Sequence, residues 1–301
     1  MKTTLEYLFQ QNTLEQHEAY DHMRAIAEGD ISAEQVAAFL SVFRMRRITL
    51  SEFLGFRKAM KEKAQTIRLH SAKTIDLCGT GGDGKDTFNI STLTSFVVAG
   101  AGAKVAKHGN YGVSSVSGSS NVLETLGHTF TNNEQKLNEQ LNSANICFLH
   151  APLFHPAMKQ VAPIRKALGV KTFFNLLGPL VNPANPTHQF TGVYDYSLAR
   201  LYHYVLQHDK NSYCIVHSGD GYDEVSLTSE YKCYSNQGVA LHQPGVNVPF
   251  KRISPEMLKG GKTVEESADL FVRVLRGKGT REQESVVLAN AAHALQSYFG
   301  D

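Results

Sequence analysis

The sequence has almost no excess of charge: 30 Lys and Arg stand against 28 Asp and Glu, a formal net charge of +2. A dedicated nucleic-acid binder needs a basic stripe to neutralise phosphates, so no nucleic-acid partner is expected and a small molecule is. Cysteine is scarce as well. Cys78, Cys147, Cys214 and Cys233 form no C-x-x-C pair and have no histidine nearby at zinc-ligand spacing, so they read as free thiols in a reducing compartment. No apolar run approaches the ~20 residues of a membrane span, and residues 1–20 carry no small-residue cleavage site. Secretion and membrane insertion are not expected; a cytoplasmic location is. Internal repeats and low-complexity tracts are also missing.

What is present is a chain of 301 residues with 42% hydrophobic content, enough for two domains or one large α/β domain. The first seventy residues carry three S/T-x-x-E/Q helix starts: Thr13 with Gln16, Ser32 with Gln35, and Thr49 with Glu52. Val36, Phe39, Leu40 and Phe43 then fall at i, i+3, i+4 and i+7, and Leu50, Phe53 and Leu54 repeat the stripe. A small all-helical opening follows, its stripes read as core or, in part, as a dimer surface.

From Lys73 the pattern becomes short β-type runs separated by helical stretches: residues 74–78, 104–107, 146–150, 189–194 and 212–217. That alternation predicts an α/β domain with a mainly parallel central sheet. Between the third and fourth runs, residues 165–183 (RKALGVKTFFNLLGPLVNP) read as helix and turn with no strand. The expectation is a helical domain of residues 1–70 with about 165–187, and an α/β domain of residues 71–164 with about 188–301.

Three segments carry chemistry. In IDLCGTGGDGKDTFNIST, Gly79, Gly81, Gly82 and Gly84 lie after a strand and before a helix opening near Ser91. Glycines let the backbone approach an anion, and helix-start N–H groups carry partial positive charge. Asn89, Ser91 and Thr92 add side-chain donors, and the Ser91 hydroxyl could also ligate magnesium. Gly79, Gly81 and Gly84 also satisfy G-x-G-x-x-G, but the second run lacks the acidic residue a dinucleotide site uses, and no G-K-[ST] follows. A tight turn without ligand is the bland alternative.

The second segment, KHGNYGVSSVSGSSN from Lys107 to Asn121, offers Lys107 as a point charge for phosphate. Ser114, Ser115 and Ser119 with Gly112 and Gly118 offer a loop of donors. His108 alone would be structural, but its place between Lys107 and Asn110 assigns it to the site. The third, DGYDEVS, sets Asp223 beside Glu224, which suits a hard oxygen-seeking cation, although acidic pairs in turns are commonly just solvated.

These motifs, with LFHPAMKQVAPIRKALGVKTFFNLLGPLVNP at 153–183, resemble those of the anthranilate phosphoribosyltransferase family, in the family's order and over nearly the whole chain. The resemblance implies the nucleoside phosphorylase/phosphoribosyltransferase type of fold, a homodimer joined through the helical domains, and the second step of tryptophan biosynthesis from chorismate. The phosphoribosyl group of 5-phosphoribosyl 1-pyrophosphate would pass to the amino group of anthranilate, with Mg2+, two ions per monomer, as cofactor. It implies that Gly79, Gly82, Asp83, Thr87, Asn89, Ile90, Ser91, Thr92, Lys107 and Ser119 contact the sugar pyrophosphate. Ser91, Asp223 and Glu224 would hold the metal. Asn110 and Arg165 would recognise anthranilate, with Gly79, His108, His155, Gly178 and Pro179 lining its site.

The chemistry agrees. Anthranilate's aromatic amine is neutral at pH 7, so no residue is assigned as general base, with His108 the single alternative, and transfer depends on positioning and charge stabilisation. Arg165 can grip a carboxylate in a bidentate fork, although alone it would pass for a surface residue of an amphipathic helix. Tyr111 and Asn121 stand where many family members have Arg and Asp. Relatives continue past the point where this chain stops, so Asp301 reads as a boundary. The rival readings are a pyrimidine nucleoside phosphorylase-like enzyme, which should lack DGYDE and FNLLGPLVNP, and an inactive nucleic-acid-binding relative, which should have lost the metal carboxylates.

Overall fold

The computed structural model describes residues 1–112, 116–209 and 211–300. The chain forms two compact units, Met1–Ile67 with Ala151–Pro183, and Arg68–His150 with Ala184–Asp301.

The first unit opens with α1 (Lys2–Phe9), α2 (Gln16–Glu28), α3 (Ala33–Met45) and α4 (Leu50–Glu62). Ser32 caps α3 by accepting the Gln35 N–H, and Thr49 with Glu52 closes a reciprocal capping box on α4. Thr13 does not start α2. Its cap is Glu15, whose N–H donates to Glu18 Oε2 at 2.9 Å, because Leu14 is drawn into the core and its N–H donates to Glu52 Oε1 at 3.0 Å. Glu52 is thus more than a cap: it is fully buried and also takes Arg46 Nη2 at 2.5 Å and Nη1 at 2.9 Å. Burial alone would raise its pKa, yet the Arg46 guanidinium and the Thr49 and Leu14 N–H groups hold it below the usual range.

The chain next enters the second unit through β1 (Ile75–Leu77), α5 (Ile90–Gly100), β2 (Val105–Gly109), α6 (Ser119–Thr125), α7 (Glu134–Ala144) and β3 (Ile146–His150). It returns to the first unit with α8 (Ala151–Phe154), α9 (Met158–Leu168) and α10 (Phe174–Leu177). The excursion therefore begins directly after β3, at residue 151 and not near 165, and closes at 183. Its anchors explain the difference: Phe154 is fully buried and its carbonyl accepts the Gln65 N–H at 2.7 Å, while the Pro183 carbonyl accepts the Ile67 N–H at 3.2 Å. Phe173 completes the helical core, stacked on Phe56 at 4.5 Å with Phe39 and Phe43 edge-on, and Arg57 Nε donates to the Leu180 carbonyl.

The second unit resumes with β4 (His188–Gly192), α11 (Tyr196–Gln207), β5 (Ser212–Ser218), β6 (Tyr231–Ser235), β7 (Gly238–His242), α12 (Val264–Leu275) and α13 (Arg281–Phe299). The sheet order is β3-β2-β1-β4-β5-β6-β7. The five expected strands are all present and mutually parallel, with limits shifted by a residue or two. β6 and β7 are additional, antiparallel strands. Strand order reverses at β1, with β2 and β3 to one side and β4 onward to the other, and open α/β sheets bind ligands at the carboxyl ends of strands beside such a reversal. The core of this unit lies where α5 and α13 cover the sheet with Leu93 and Val286, and α12 packs Phe271 onto α5.

Glu52→Ala would leave Arg46 and the Leu14 N–H without their acceptor inside the helical unit. We expect a loss of about 3 kcal/mol in urea unfolding; a change below about 1 kcal/mol, typical of an exposed pair, would refute the burial argument.

Candidate active site

The glycine loop runs from the end of β1 to the start of α5. Gly81, Gly82 and Gly84 take φ of 60°, 75° and 73°, left-handed values that disfavour other residues. The loop is braced from two sides. The Gly192 carbonyl, at the end of β4, accepts the Thr80 N–H at 2.9 Å, and Asp223 Oδ2 accepts the Gly81 N–H at 2.6 Å. A Cβ on Gly79 would lie 2.6 Å from the same Asp223 oxygen, and a Cβ on Gly192 would overlap the Asp223 carbonyl. The Asn89 side chain does not cap α5; its amide donates to the Ser117 carbonyl at 3.3 Å. The helix thus starts without a side-chain cap, the arrangement that suits an incoming anion. Ile90 and Thr92 are buried, and Ser91 is half-buried at the helix start.

Ser119 and Asn110 approach from the second loop, with Ser119 Oγ donating to the Asn110 carbonyl at 3.4 Å. Asn121 Oδ1 accepts the N–H groups of Gly112 and Gly118, and Tyr111 donates to Glu124 at 2.8 Å and packs edge-on to His150. The two departures from the family pattern are thus built into the loop's own framework. Ser114 and Ser115 lie outside the described residues.

Asp83, Asp223 and Glu224 converge so that one carboxylate oxygen from each lies within 4.8 Å of the others. Asp83, expected to touch the sugar pyrophosphate, is therefore also the third member of the acidic cluster. Sequence could not show this, because Asp223 follows Asp83 by 140 positions and the neighbouring glycines account for the motif without it. Asn290 of α13, unmarked by any motif, fixes the acidic segment by pairing with both the N–H and the carbonyl of Val225, each at 2.9 Å.

Burial, and then the charge of Asp83, pushes Asp223 up to about 7; burial and the Asp223 charge push Glu224 well above its usual range, and burial raises Asp83. Asp83 Oδ2 and Glu224 Oε2 are buried without a hydrogen-bond donor. Lys107 is 2% exposed, its Nζ donates to the Leu77 carbonyl at 2.5 Å, and burial lowers its pKa. One buried ammonium cannot neutralise three carboxylates. The donor set is all oxygen, anionic and short of positive charge, which is what a hard divalent cation requires. His108 lies next to Lys107 in β2, buried, with its backbone N–H on Asp76 Oδ1 at 3.0 Å.

Thr87 forms an isolated bridge with Lys259 in the α/β unit, and the remaining expected site residues belong to the helical unit. Arg165, in the last turn of α9, lies over the Phe174 ring at 5.5 Å and donates to Asn175 Oδ1 at 3.2 Å, so its guanidinium plane is fixed. His155 is buried, and burial lowers its pKa to about 4, leaving a neutral imidazole. Gly178 and Pro179 form a single 3-10 turn after α10.

The chain matches the model described as glycosyl transferase family, helical bundle domain, over residues 2–64, and that described as glycosyl transferase family, a/b domain, over residues 71–298. It is 54% identical over 298 residues to the anthranilate phosphoribosyltransferase of Flavobacterium psychrophilum, covering 98% of this chain and 89% of that one. This chain belongs to the anthranilate phosphoribosyltransferase family. The crystal structure of the family member from Thermus thermophilus aligns with a TM-score of 0.90 at 36% identity, over 99% of this chain and 89% of that one. The Saccharomyces cerevisiae enzyme in complex with PRPP and Mg aligns at 0.88 and 26% identity, over 100% and 90%.

The raised carboxylate pKa values set a sign. A carboxyl that holds its proton more tightly when folded stabilises the fold at low pH, and that stability is lost as pH rises towards about 7. Asp223→Asn should therefore stabilise the metal-free protein at pH 8, on the order of 2 kcal/mol, while weakening divalent-cation binding. Thermal melts with and without Mg2+ would test this: a mutant melting below the wild type without metal would contradict the assigned burial cost.

Proposed function

We propose that this chain transfers the 5-phosphoribosyl group of 5-phosphoribosyl 1-pyrophosphate to the amino group of anthranilate, releasing pyrophosphate, in tryptophan biosynthesis. The observation that carries the assignment of its parts is the buried cluster of Asp83, Asp223 and Glu224 behind the glycine loop. Asp83, Asp223 and Glu224, with the Ser91 hydroxyl, are assigned to Mg2+, two ions per monomer. When bound, Mg2+ would neutralise the pyrophosphate charge that develops as the anomeric bond opens. The α5 N-terminus, Gly79, Gly82, Thr87, Asn89, Ile90, Thr92, Lys107 and Ser119 are assigned to the sugar pyrophosphate. Support comes from the uncapped start of α5 and from Asn89, which ties the two loops together. Lys107 is buried with its Nζ on the Leu77 carbonyl, so contact with the sugar pyrophosphate requires that bond to open.

For anthranilate, Arg165 is assigned to the carboxylate. Gly79, His108, Asn110, His155 and the turn of Gly178 with Pro179 are assigned to the same site, and none of them is asked to move a proton. The neutral aromatic amine attacks without a general base, so the binding residues act by orientation. The stacking of Arg165 on Phe174 and its bond to Asn175 support its reading as a carboxylate fork. A homodimer through the helical unit is supported by the exposed side chains of Tyr7, Phe9 and Met45 there. A cytoplasmic setting is supported by the four free thiols, and no helix among the described residues is long and apolar enough to cross a membrane.

The purified chain with Mg2+ and phosphoribosyl pyrophosphate should consume anthranilate, read as loss of its fluorescence; no turnover would overturn the proposal. Arg165→Ala should raise the anthranilate KM by roughly 10- to 100-fold, the worth of one charge-assisted pair, with the KM for the sugar substrate little changed. Equal effects on both would move Arg165 out of the anthranilate site.

A further inference from the structure

A second cluster in the α/β unit has no part in the chemistry above. Cys214 of β5, Cys233 of β6 and His293 of α13 each place a ligand atom within 4.8 Å of the other two. Both thiols are buried and free. Spacing in sequence hides the group, since Cys233 follows Cys214 by 19 positions and His293 follows Cys233 by 60; only the antiparallel pairing of β5 with β6 under α13 brings them together.

We propose that Cys214, Cys233 and His293 form a binding site for a thiophilic divalent metal of the zinc type. Tetrahedral bonds of about 2.3 Å to sulfur and about 2.0–2.1 Å to nitrogen put sulfur and nitrogen about 3.6 Å apart around one ion. Cys233 Sγ lies 3.9 Å from His293 Nδ1, so the ion fits with a small inward shift of the two side chains. The other ring nitrogen is already engaged: His293 Nε2 pairs with the Tyr231 hydroxyl at 2.9 Å, the outer bond that fixes ring orientation and leaves Nδ1 facing the thiols. His242 stacks on Tyr231 and meets His293 edge-on at 4.9 Å, which holds both rings in place.

A disulfide is the competing use of two adjacent thiols, and the register argues against it. Val216 pairs with Cys233 and Cys214 with Ser235, so the cysteines are diagonal neighbours. Diagonal positions stand about 7–8 Å apart, beyond the ordinary disulfide span of about 4.4–6.8 Å. The protein supplies three ligands and solvent the fourth. Binding releases the two thiol protons and ties the antiparallel edge of the sheet to the C-terminal helix.

Cobalt(II) reads the site directly. One equivalent added to the reduced full chain in excess Mg2+, which occupies the carboxylate cluster, should give a thiolate-to-cobalt charge-transfer band and the visible bands of four-coordinate cobalt. Zinc should bleach both. Surface imidazoles bind cobalt without the charge-transfer band. Cys214→Ser and Cys233→Ser should each weaken or abolish it, whereas Asp223→Asn should keep it, separating this site from the acidic one. Should either cysteine variant fail to fold, the wild type still decides. Absence of the band in the wild type, its survival in a folded Cys214→Ser, Cys233→Ser double variant, or its loss in Asp223→Asn would each overturn the proposal. An intact mass two hydrogens lighter in protein purified without reductant, from a Cys214–Cys233 bridge, would overturn it as well.

Discussion

The bond from the Gly81 N–H to Asp223 Oδ2 is the contact on which the site depends. It joins a glycine loop at the end of β1 to an acidic segment after β5, two parts of the chain that sequence leaves far apart. Because Gly79 and Gly192 lack a Cβ, the carboxylate and its backbone can come up against both strand ends. Those two glycines therefore matter for the space they leave, whereas Gly81, Gly82 and Gly84 matter for the left-handed turn they allow. A side chain at Gly192 would separate the loop from the carboxylates even if every residue of the glycine loop were kept.

The geometry is costly to the fold. Three carboxyl groups share a buried region, and two of their oxygens have no donor. Burial raises the pKa of all three carboxyls, a cost of keeping them charged and ready for a metal, so stability and readiness for metal oppose each other here. Asn290 offsets the strain by clamping Val225, immediately after Glu224, from both sides. The clamp and the helix that carries it come from the far end of the chain, so the last helix is part of the site's support.

Much of this is legible in sequence, and what is not has definite causes. The five parallel strands stand out as apolar runs because both faces of each are covered. β7 does not: residues 238–241 are exposed, so no burial pattern marks it. The caps at Ser32 and Thr49 are readable because capping is local, while the start of α2 is displaced by a distant demand, the pull of Glu52 on the Leu14 N–H. The helical excursion is visible as a strandless segment, but its early start at residue 151 depends on Phe154 and the Gln65 bond, which no local pattern shows. Asp83 reads as a substrate contact from its own loop, and its place in the acidic cluster is hidden for the same reason: the partner carboxylates are distant in the chain.

Lys107 shows that a residue assigned to substrate can also serve the fold. A lysine beside a loop of serines reads as a phosphate ligand, and its ammonium is also buried, bonded to the Leu77 carbonyl and close enough to Glu224 to lower that carboxyl's pKa against the larger effect of burial. A buried lysine is stable as a cation only where negative charge surrounds it, and a cluster of carboxylates is tolerable only where some positive charge is fixed nearby. Each makes the other possible. The ammonium therefore contributes to the charge balance of the acidic cluster whatever else it contacts.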